Sequence, residues 1–404
     1  MRRAHELARQ AQTIAPPNPA VGCVIVRDGR ELGAGHTQRT GGPHAEIEAL
    51  GSARSAVAGA AAQRLEGATA YVTLEPCCHQ GRTGPCTDAL IAAGVTRVVI
   101  AATDADPRVA GQGIEHLRAA GIDVVNGVLP APTRWLNRGF FCRLQQARPW
   151  VRVKLASSLD GRTAMATGES KWITGSAARQ DVQLLRAQSD CILTGSGTVL
   201  HDDPSLDVRA TATELGIEGP VRQPVRAVVD SQLRTPIDAR LFATGGPVRL
   251  YTRDAATTEA AATRLLQANS APRGASRMGD HGLAADLYGD RVQVFTNHAN
   301  AEEGVDLDAV LRDLARIPVN LVHVEAGATL CGALLQAGLV DEIVMYLAPH
   351  LMGNQGRAQF VLPEIATMQD RIGLHLDTVE QVGDDVRLCL RPSQSPYAEL
   401  ARAL

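Results

Sequence analysis

His44-Ala45-Glu46, followed by Pro76-Cys77-Cys78-His79-Gln80-Gly81-Arg82-Thr83-Gly84-Pro85-Cys86, is the stretch on which the reading of this chain turns. One imidazole (His44) and two thiolates (Cys77 and Cys86) can hold Zn²⁺ and leave a fourth position open for water. The carboxylate of Glu46, two residues after the histidine, is not a ligand in this scheme. It is placed to move a proton.

The elements around these residues give the spacing a mechanical sense. Residues 2–14 are patterned as a helix, which Pro16-Pro17-Asn18-Pro19 stops. Strands are expected over 21–26 and up to His36, with an Asp28-Gly29 turn between them. His44 opens a helix running to residue 50. A strand over 70–74 ends at Glu75-Pro76, so Cys77 lies just past a strand terminus. A helix over 88–93 puts Cys86 at a helix start, where dipole and amides favour a thiolate. A strand over 96–101, a helix over 114–120 and a strand over 122–125 follow. Two strands and then alternating helices and strands predict a layered α/β domain.

H-x-E followed by P-C-x-x-C marks zinc deaminases of nucleobases, in which the Glu shuttles the proton from water to the departing amine. Here eight residues, not two, separate Cys77 from Cys86. The longer excursion reads as a loop over the pocket, the usual place for substrate contacts. A purely structural zinc knuckle, closed by Cys78 or His79 as fourth ligand, leaves Glu46 unexplained.

The chain has 404 residues, enough for two or three domains, and 45% are apolar. Lys plus Arg number 40 and Asp plus Glu 43, a net charge of -3. That near-neutrality argues against broad nucleic-acid binding, and aromatics for base stacking are few. Of eight cysteines only 77, 78 and 86 cluster, which suits metal binding and not a disulfide scaffold. No signal-peptide core and no membrane-length apolar run is found. A cytoplasmic protein is expected.

Residues 1 to about 147 resemble the deaminase half of the bifunctional riboflavin-biosynthesis deaminase/reductase family. The likeness is carried by Asn18-Pro19-Ala20-Val21-Gly22, Pro43-His44-Ala45-Glu46, Tyr71-Val72-Thr73-Leu74-Glu75-Pro76-Cys77 and the loop to Cys86. It implies a cytidine-deaminase-like three-layer fold, zinc on His44, Cys77 and Cys86, and Glu46 as proton shuttle. It further implies substrate contacts from Asn18, His36, His79 and Arg82. Cys78 stands where the family commonly has Ser, and Gly84-Pro85 where it commonly has Pro-Pro.

Arg148-Pro149-Trp150 breaks an amphipathic stretch, and a new strand begins at Val151, so the domain boundary is placed at 147/148. Strands are expected over 151–156, 190–195, 226–230, 247–251, 292–295, 320–325 and 342–347, with helices over 176–187 and 328–337. This is a second α/β domain without a G-x-G-x-x-G fingerprint. Glycine turns at Thr194-Gly195-Ser196-Gly197 and Ala326-Gly327-Ala328 lie at strand ends, where open α/β sheets bind ligands. Amides at the second turn can hold a pyrophosphate. The Ala/Thr-rich segment 254–290 carries no assigned chemistry, and 393–404 reads as a tail.

Residues 151 to about 392 resemble the reductase half of the same family, which has a dihydrofolate-reductase-like fold. The matching stretches are Lys154-Leu155, Ser158-Leu159-Asp160-Gly161-Arg162, Gly168-Glu169-Ser170, Trp172-Ile173-Thr174, Asp202-Asp203-Pro204 and Val324-Glu325-Ala326-Gly327. The resemblance implies NADPH on Ala156, Trp172, Thr198, Asp202, Ser231 and the 327–333 segment, with Gly327, Ala328 and Thr329 at its start. It implies a phosphorylated sugar held by Ser170, Arg186, Leu206, Arg209 and Glu325. Arginine forks suit a phosphate dianion. Lys154 and Asp202 are expected near the reacting carbon.

The expected activity is deamination of a phosphorylated diaminopyrimidine and reduction of its ribosyl chain by NADPH. The expected partner is that small molecule, with no nucleic acid and no membrane, in a homo-oligomer (dimer or higher). Two rivals predict different outcomes. A tRNA base deaminase with an unrelated C-terminal domain would release ammonia from nucleic acid. A non-enzymatic zinc protein would lose nothing on Glu46→Gln.

Overall fold

The computed structural model describes residues 1–56, 65–80, 84–236, 238–253, 292–296 and 304–395. Arg82 and the segment 254–290 lie outside the described residues, as does the tail from 396. The chain divides into two compact units. One holds Met1–Ala147 together with Ala212–Gly219, and the other holds Arg148–Thr211 and the described residues from Pro220 onward.

The first unit is built on a sheet of order β2-β1-β3-β4-β5, from β1 (Gly22–Arg27), β2 (Arg30–His36), β3 (Thr69–Leu74), β4 (Arg97–Ala102) and β5 (Asp123–Asn126). β1 runs antiparallel to β2 and β3, and β3, β4 and β5 are mutually parallel. Alternation along β1 divides its side chains between the faces. Cys23 and Ile25 pack with Ala45, Ala49 and Ala53 of α2 (Ala45–Ala56), whereas Val24 packs with Ala4 and Leu7 of α1 (Arg2–Gln10). Helices therefore cover both faces, the expected three layers. α1 stops at Gln10 and turns carry the chain on to the prolines. The remaining helices are α3 (Cys86–Ala92), α4 (Gln112–Ala119), α5 (Pro130–Leu136) and α6 (Arg138–Gln146).

The second unit carries β6 (Trp150–Ser158), β7 (Arg162–Ala164), β8 (Cys191–Gly195), β9 (Val225–Val229), β10 (Val248–Thr252), β11 (Val292–Thr296), β12 (Leu321–Val324), β13 (Glu342–Ala348), β14 (Arg357–Ala358), β15 (Leu374–Val382) and β16 (Asp385–Pro392). Its main sheet has the order β11-β10-β9-β8-β12-β6-β13-β16-β15. It is parallel from β11 to β13, and β16 and β15 join antiparallel. Among the described residues its helices are α7 (Ser176–Ala187), α8 (Ser196–Asp202), α9 (Arg240–Ala243), α10 (Leu307–Arg316) and α11 (Ala328–Gln336).

Several elements were not expected. The β15–β16 hairpin turns on Gly383-Asp384, with Gly383 at φ 64. That is a two-residue hairpin loop of the kind that glycine permits. α10 is capped by Asp306, whose Oδ1 accepts from the Ala309 amide at 3.0 Å, and it buries Val310, Leu311 and Leu314. Short β7 pairs with β14, a contact across almost two hundred positions that no local pattern signals.

Candidate active sites

The thiol and imidazole groups of the first unit come from three segments. His44 sits immediately before α2 and its carbonyl accepts from the Glu48 amide at 3.1 Å. α2 lies close on β2 because Gly33 and Gly35 have no Cβ; one there would strike the α2 backbone. Cys77 follows the end of β3, and its carbonyl accepts from Thr87 N at 3.2 Å and from Thr87 Oγ1 at 3.3 Å. Cys86 is the first residue of α3, and its amide donates to Cys77 Sγ at 3.4 Å.

These folds converge the three ligand atoms within 4.8 Å of one another. His44 Nδ1 lies 3.6 Å from Cys77 Sγ and 3.3 Å from Cys86 Sγ. A tetrahedral zinc ion with ordinary Zn–S and Zn–N bonds sets N···S at about 3.5 Å, so the donors fit it in type and spacing. The two thiols are shifted in opposite directions. Cys77 accepts from Cys86 and from His44 and is pulled down, while Cys86, donating to Cys77, is pushed up. His44 is raised by its bond to Cys77. Glu46 is almost wholly buried and in contact with Cys86. Burial, then the charge of Cys77, raises it to about 7.

Among the other expected contacts, Asn18 donates its backbone N–H to the Ala15 carbonyl at 2.9 Å. His36 ends β2, held by Gln38 at 3.0 Å and lowered by burial. His79 has a buried Nδ1 with no hydrogen-bond partner among the described residues.

Sequence reasoning missed Glu75 and Asp104. Glu75 is buried and accepts from Gly111 N at 3.0 Å, Asp104 N at 3.2 Å and Ile114 N at 3.1 Å. It thereby ties the end of β3, and with it Pro76 and Cys77, to the start of α4. Gly113 is required there, since a Cβ would meet the Pro76 carbonyl. Asp104 is raised to about 7 by burial. The adjacent Glu75-Pro76-Cys77 was the available signal for Glu75.

In the second unit a cleft of about 970 Å³ opens over the carboxyl ends of β9, β8, β12 and β6, at the upper end of the range for small-molecule sites. Lys154, Asp202 and Glu325 line it, with Ala156, Ser170 and Thr198. So do Ser231 and the turn Gly327-Ala328-Thr329 that opens α11. Lys154 is lowered by burial, although the nearby Glu325 charge opposes this. For Glu325 burial pushes upward, but Arg186 and His323 outweigh it and hold the carboxyl well below its usual range.

Four expected residues lie outside that lining. Arg186 is buried: Nε and Nη2 donate to Glu325 at 2.5 and 2.9 Å, and Nη1 donates to the Asp207 carbonyl at 2.8 Å. Leu206 is buried with φ 50. Arg209 is exposed, its amide donating to Gln183. Trp172 is 76% exposed with φ 66, and Arg179 stacks over its ring at 4.5 Å. A left-handed backbone at a bulky residue is strained and typical of functional loops.

Comparison with known proteins decides the family. Residues 1–102 match the cytidine and deoxycytidylate deaminase zinc-binding region, and residues 149–388 match the RibD C-terminal domain. The riboflavin biosynthesis protein RibD of Escherichia coli K12 is 43% identical over 396 residues, covering 96% of this chain and 98% of its own. The chain belongs to the RibD family. Among solved structures, Acinetobacter baumannii RibD (form 1) is 39% identical with a TM-score of 0.80, covering 97% of this chain and 98% of its own. A diaminohydroxyphosphoribosylaminopyrimidine deaminase/5-amino-6-(5-phosphoribosylamino)uracil reductase from Thermotoga maritima is 30% identical with a TM-score of 0.76, covering 97% of each chain.

As a RibD, this chain is a bifunctional enzyme of riboflavin biosynthesis, a zinc deaminase fused to an NADPH-dependent reductase. Both expected halves of the RibD fold are borne out. Its deaminase donors suit zinc, and its reductase cleft has the size and the helix-start amides that suit a dinucleotide.

Proposed function

We propose that the first unit hydrolyses the ring amine of 2,5-diamino-6-(5-phosphoribosylamino)pyrimidin-4(3H)-one. The second unit then reduces the ribosylamino chain to give 5-amino-6-(5-phosphoribitylamino)uracil. The observation that carries this reading is the convergence of His44, Cys77 and Cys86 with Glu46 buried beside them. What zinc supplies when bound is the Lewis acidity that makes water nucleophilic near neutral pH. Glu46 takes the proton from the attacking water and gives it to the amine, so one water enters and one ammonia leaves. Asn18, His36, His79 and Arg82 orient the pyrimidine and its sugar.

NADPH supplies the hydride for the second step. Ala156, Thr198, Ser231 and the 327–329 turn, which line the cleft, would hold it, together with Trp172 from the neighbouring loop. Lys154 and Asp202 stand by the carbon that receives the hydride. Lys154 stabilises negative charge there, and Asp202 accepts from hydroxyls. Ser170, Leu206, Arg209 and Glu325 hold the phosphorylated sugar. Arg186, engaged by Glu325, contributes by fixing that carboxylate.

The domain boundary lies at 147/148. The enzyme works in the cytoplasm, without nucleic-acid or membrane partners, as a dimer or higher oligomer. Near-neutral charge supports the lack of a nucleic-acid partner, and no described helix is long and apolar enough to cross a membrane. Supplying the purified chain with the diaminopyrimidine, and following ammonia and NADPH separately, tests the whole reading. Ammonia should appear without NADPH present, and NADPH should be consumed only after deamination. Ammonia release from tRNA and not from the pyrimidine would replace this reading by the tRNA-deaminase alternative.

A further inference from the structure

We infer that Arg234 is the residue that selects NADPH over NADH, by taking the adenosine 2′-phosphate. Neither the spacing of motifs nor the resemblance singled it out. The inference rests on the reading that the cleft of the second unit takes the cofactor.

The order of the strand ends gives the cleft a direction. Lys154 and Glu325 mark its reacting end on β6 and β12, and the 327–329 turn and Gly195–Thr198 form its middle. Ser231 and Arg234 follow β9. From β6 to β9 are three interstrand steps, about 14 Å. A cofactor with its nicotinamide beside Lys154 and its pyrophosphate on the middle turns carries its adenosine to Arg234.

The chemistry at that end distinguishes the two cofactors. Sites for NADH place a carboxylate to accept from the ribose 2′-hydroxyl, whereas an arginine accommodates the 2′-phosphate. The carboxylate available here is Asp230, at the end of β9. It is wholly buried, and its Oδ2 accepts from Thr235 N and Thr235 Oγ1, both at 2.7 Å. Its Oδ1, without a hydrogen bond among the described residues, lies 4.0 Å from Arg234 Nε. The acid is thus withdrawn beneath the surface and braces the arginine stem. The Arg234 side chain stays 52% exposed and lines the cleft, with Nη2 donating to Ser196 Oγ at 3.0 Å. Arg234, Ser196 and Ser231 together present one cation and two hydroxyls, a donor set for a phosphate dianion.

The test uses the full chain and its Arg234→Gln variant, with NADP⁺ and NAD⁺ binding measured by titration calorimetry. Loss of a charged hydrogen-bonded contact to phosphate should weaken NADP⁺ roughly 10- to 100-fold and leave NAD⁺ unchanged. Arg234→Lys should recover part of the loss. In turnover the KM for NADPH should rise while kcat holds. Thr329→Glu, which sets a carboxylate in the middle of the cleft, should weaken both nucleotides. Equal weakening of NADP⁺ and NAD⁺ by Arg234→Gln would reduce the residue to a structural role. No change in NADP⁺ binding, with Thr329→Glu effective, would overturn the inference alone. An ineffective Thr329→Glu would overturn the cofactor reading of the cleft with it.

Discussion

Arg186 and Glu325 form a two-pronged ion pair, Nε to Oε1 at 2.5 Å and Nη2 to Oε2 at 2.9 Å, beneath the reductase cleft. The pair sets the charge of the one carboxylate that follows β12 into the site. Arg186→Gln leaves that carboxylate buried without its cation, and removing one partner of such a pair costs about 3 kcal/mol. NADPH consumption should fall at least tenfold while ammonia release is retained. The acid limb of unfolding should move as well. Folding lowers the Glu325 pKa, so its stabilisation is full above the unfolded value of about 4.3 and fades as pH falls through the depressed folded value. In Arg186→Gln the folded value rises, so less stabilisation is lost on acidification and the loss is complete at a higher pH, as a circular-dichroism acid titration will show.

Glu46→Gln keeps His44, Cys77 and Cys86 and removes only the base. Zinc content by elemental analysis should be unchanged, and ammonia release should fall on the order of 100-fold or more. Reduction of the deaminated intermediate, supplied directly, should proceed at the wild-type rate. Loss of zinc in this variant would mean that Glu46 supports the metal and not the proton.

Chelation should expose the inequality of the two thiols. Cys77, which accepts hydrogen bonds from Cys86 and His44, is lowered and partly accessible, whereas Cys86 is buried and raised. Thiolates, not thiols, react with iodoacetamide. Mass spectrometry should find Cys77 alkylated after zinc removal and protected in the loaded enzyme, with Cys86 slower in both. Equal labelling of Cys77 with and without zinc would remove it from the ligand set.

The parts of these sites that the sequence made legible are those in which a rare residue type sits at a telling distance. His44, Glu46, Cys77 and Cys86 belong to that class, and so do the strand-end glycine turns of the second unit. Partnerships over long separations were not legible. Arg186 reads as a phosphate ligand until Glu325, 139 positions away, is seen against it. Glu75 was visible as a flank of Cys77, but its amide partners come from the loop after β4 and from the start of α4. The β15–β16 hairpin was overlooked because the alternation along β15 breaks at the register shift between Leu376 and Thr378, and its apolar side chains are exposed.

Glu75→Gln should show whether the buttress beneath Cys77 matters to chemistry. The carboxylate accepts three backbone amides, and an amide in its place must turn donors toward at least one of them. A loss of about 1–3 kcal/mol in stability is expected from the broken charge-assisted bonds. A positioning role predicts more: weaker zinc retention against a chelator and a lower deamination rate, with NADPH consumption unaffected. Stability loss with unaltered zinc affinity would leave Glu75 as a fold residue only.

The exposed edge of the nine-stranded sheet supplies the test of self-association. β15 pairs with β16 on one side, and no described strand pairs with the other. Leu374, Leu376 and Val379 on it are 40, 57 and 58% exposed. A long edge strand with apolar side chains and no lysine or proline invites another strand or an apolar surface. A second copy of this chain can meet it along the same edge, giving a two-fold interface. Leu376→Lys with Val379→Lys puts two like charges into that interface in each copy. The variant should elute at half the wild-type mass in light-scattering chromatography, with deamination retained because these positions belong to the other unit. An unchanged mass would move the interface away from β15, and a wild-type protein that already elutes as a single chain would end the proposal of an oligomer.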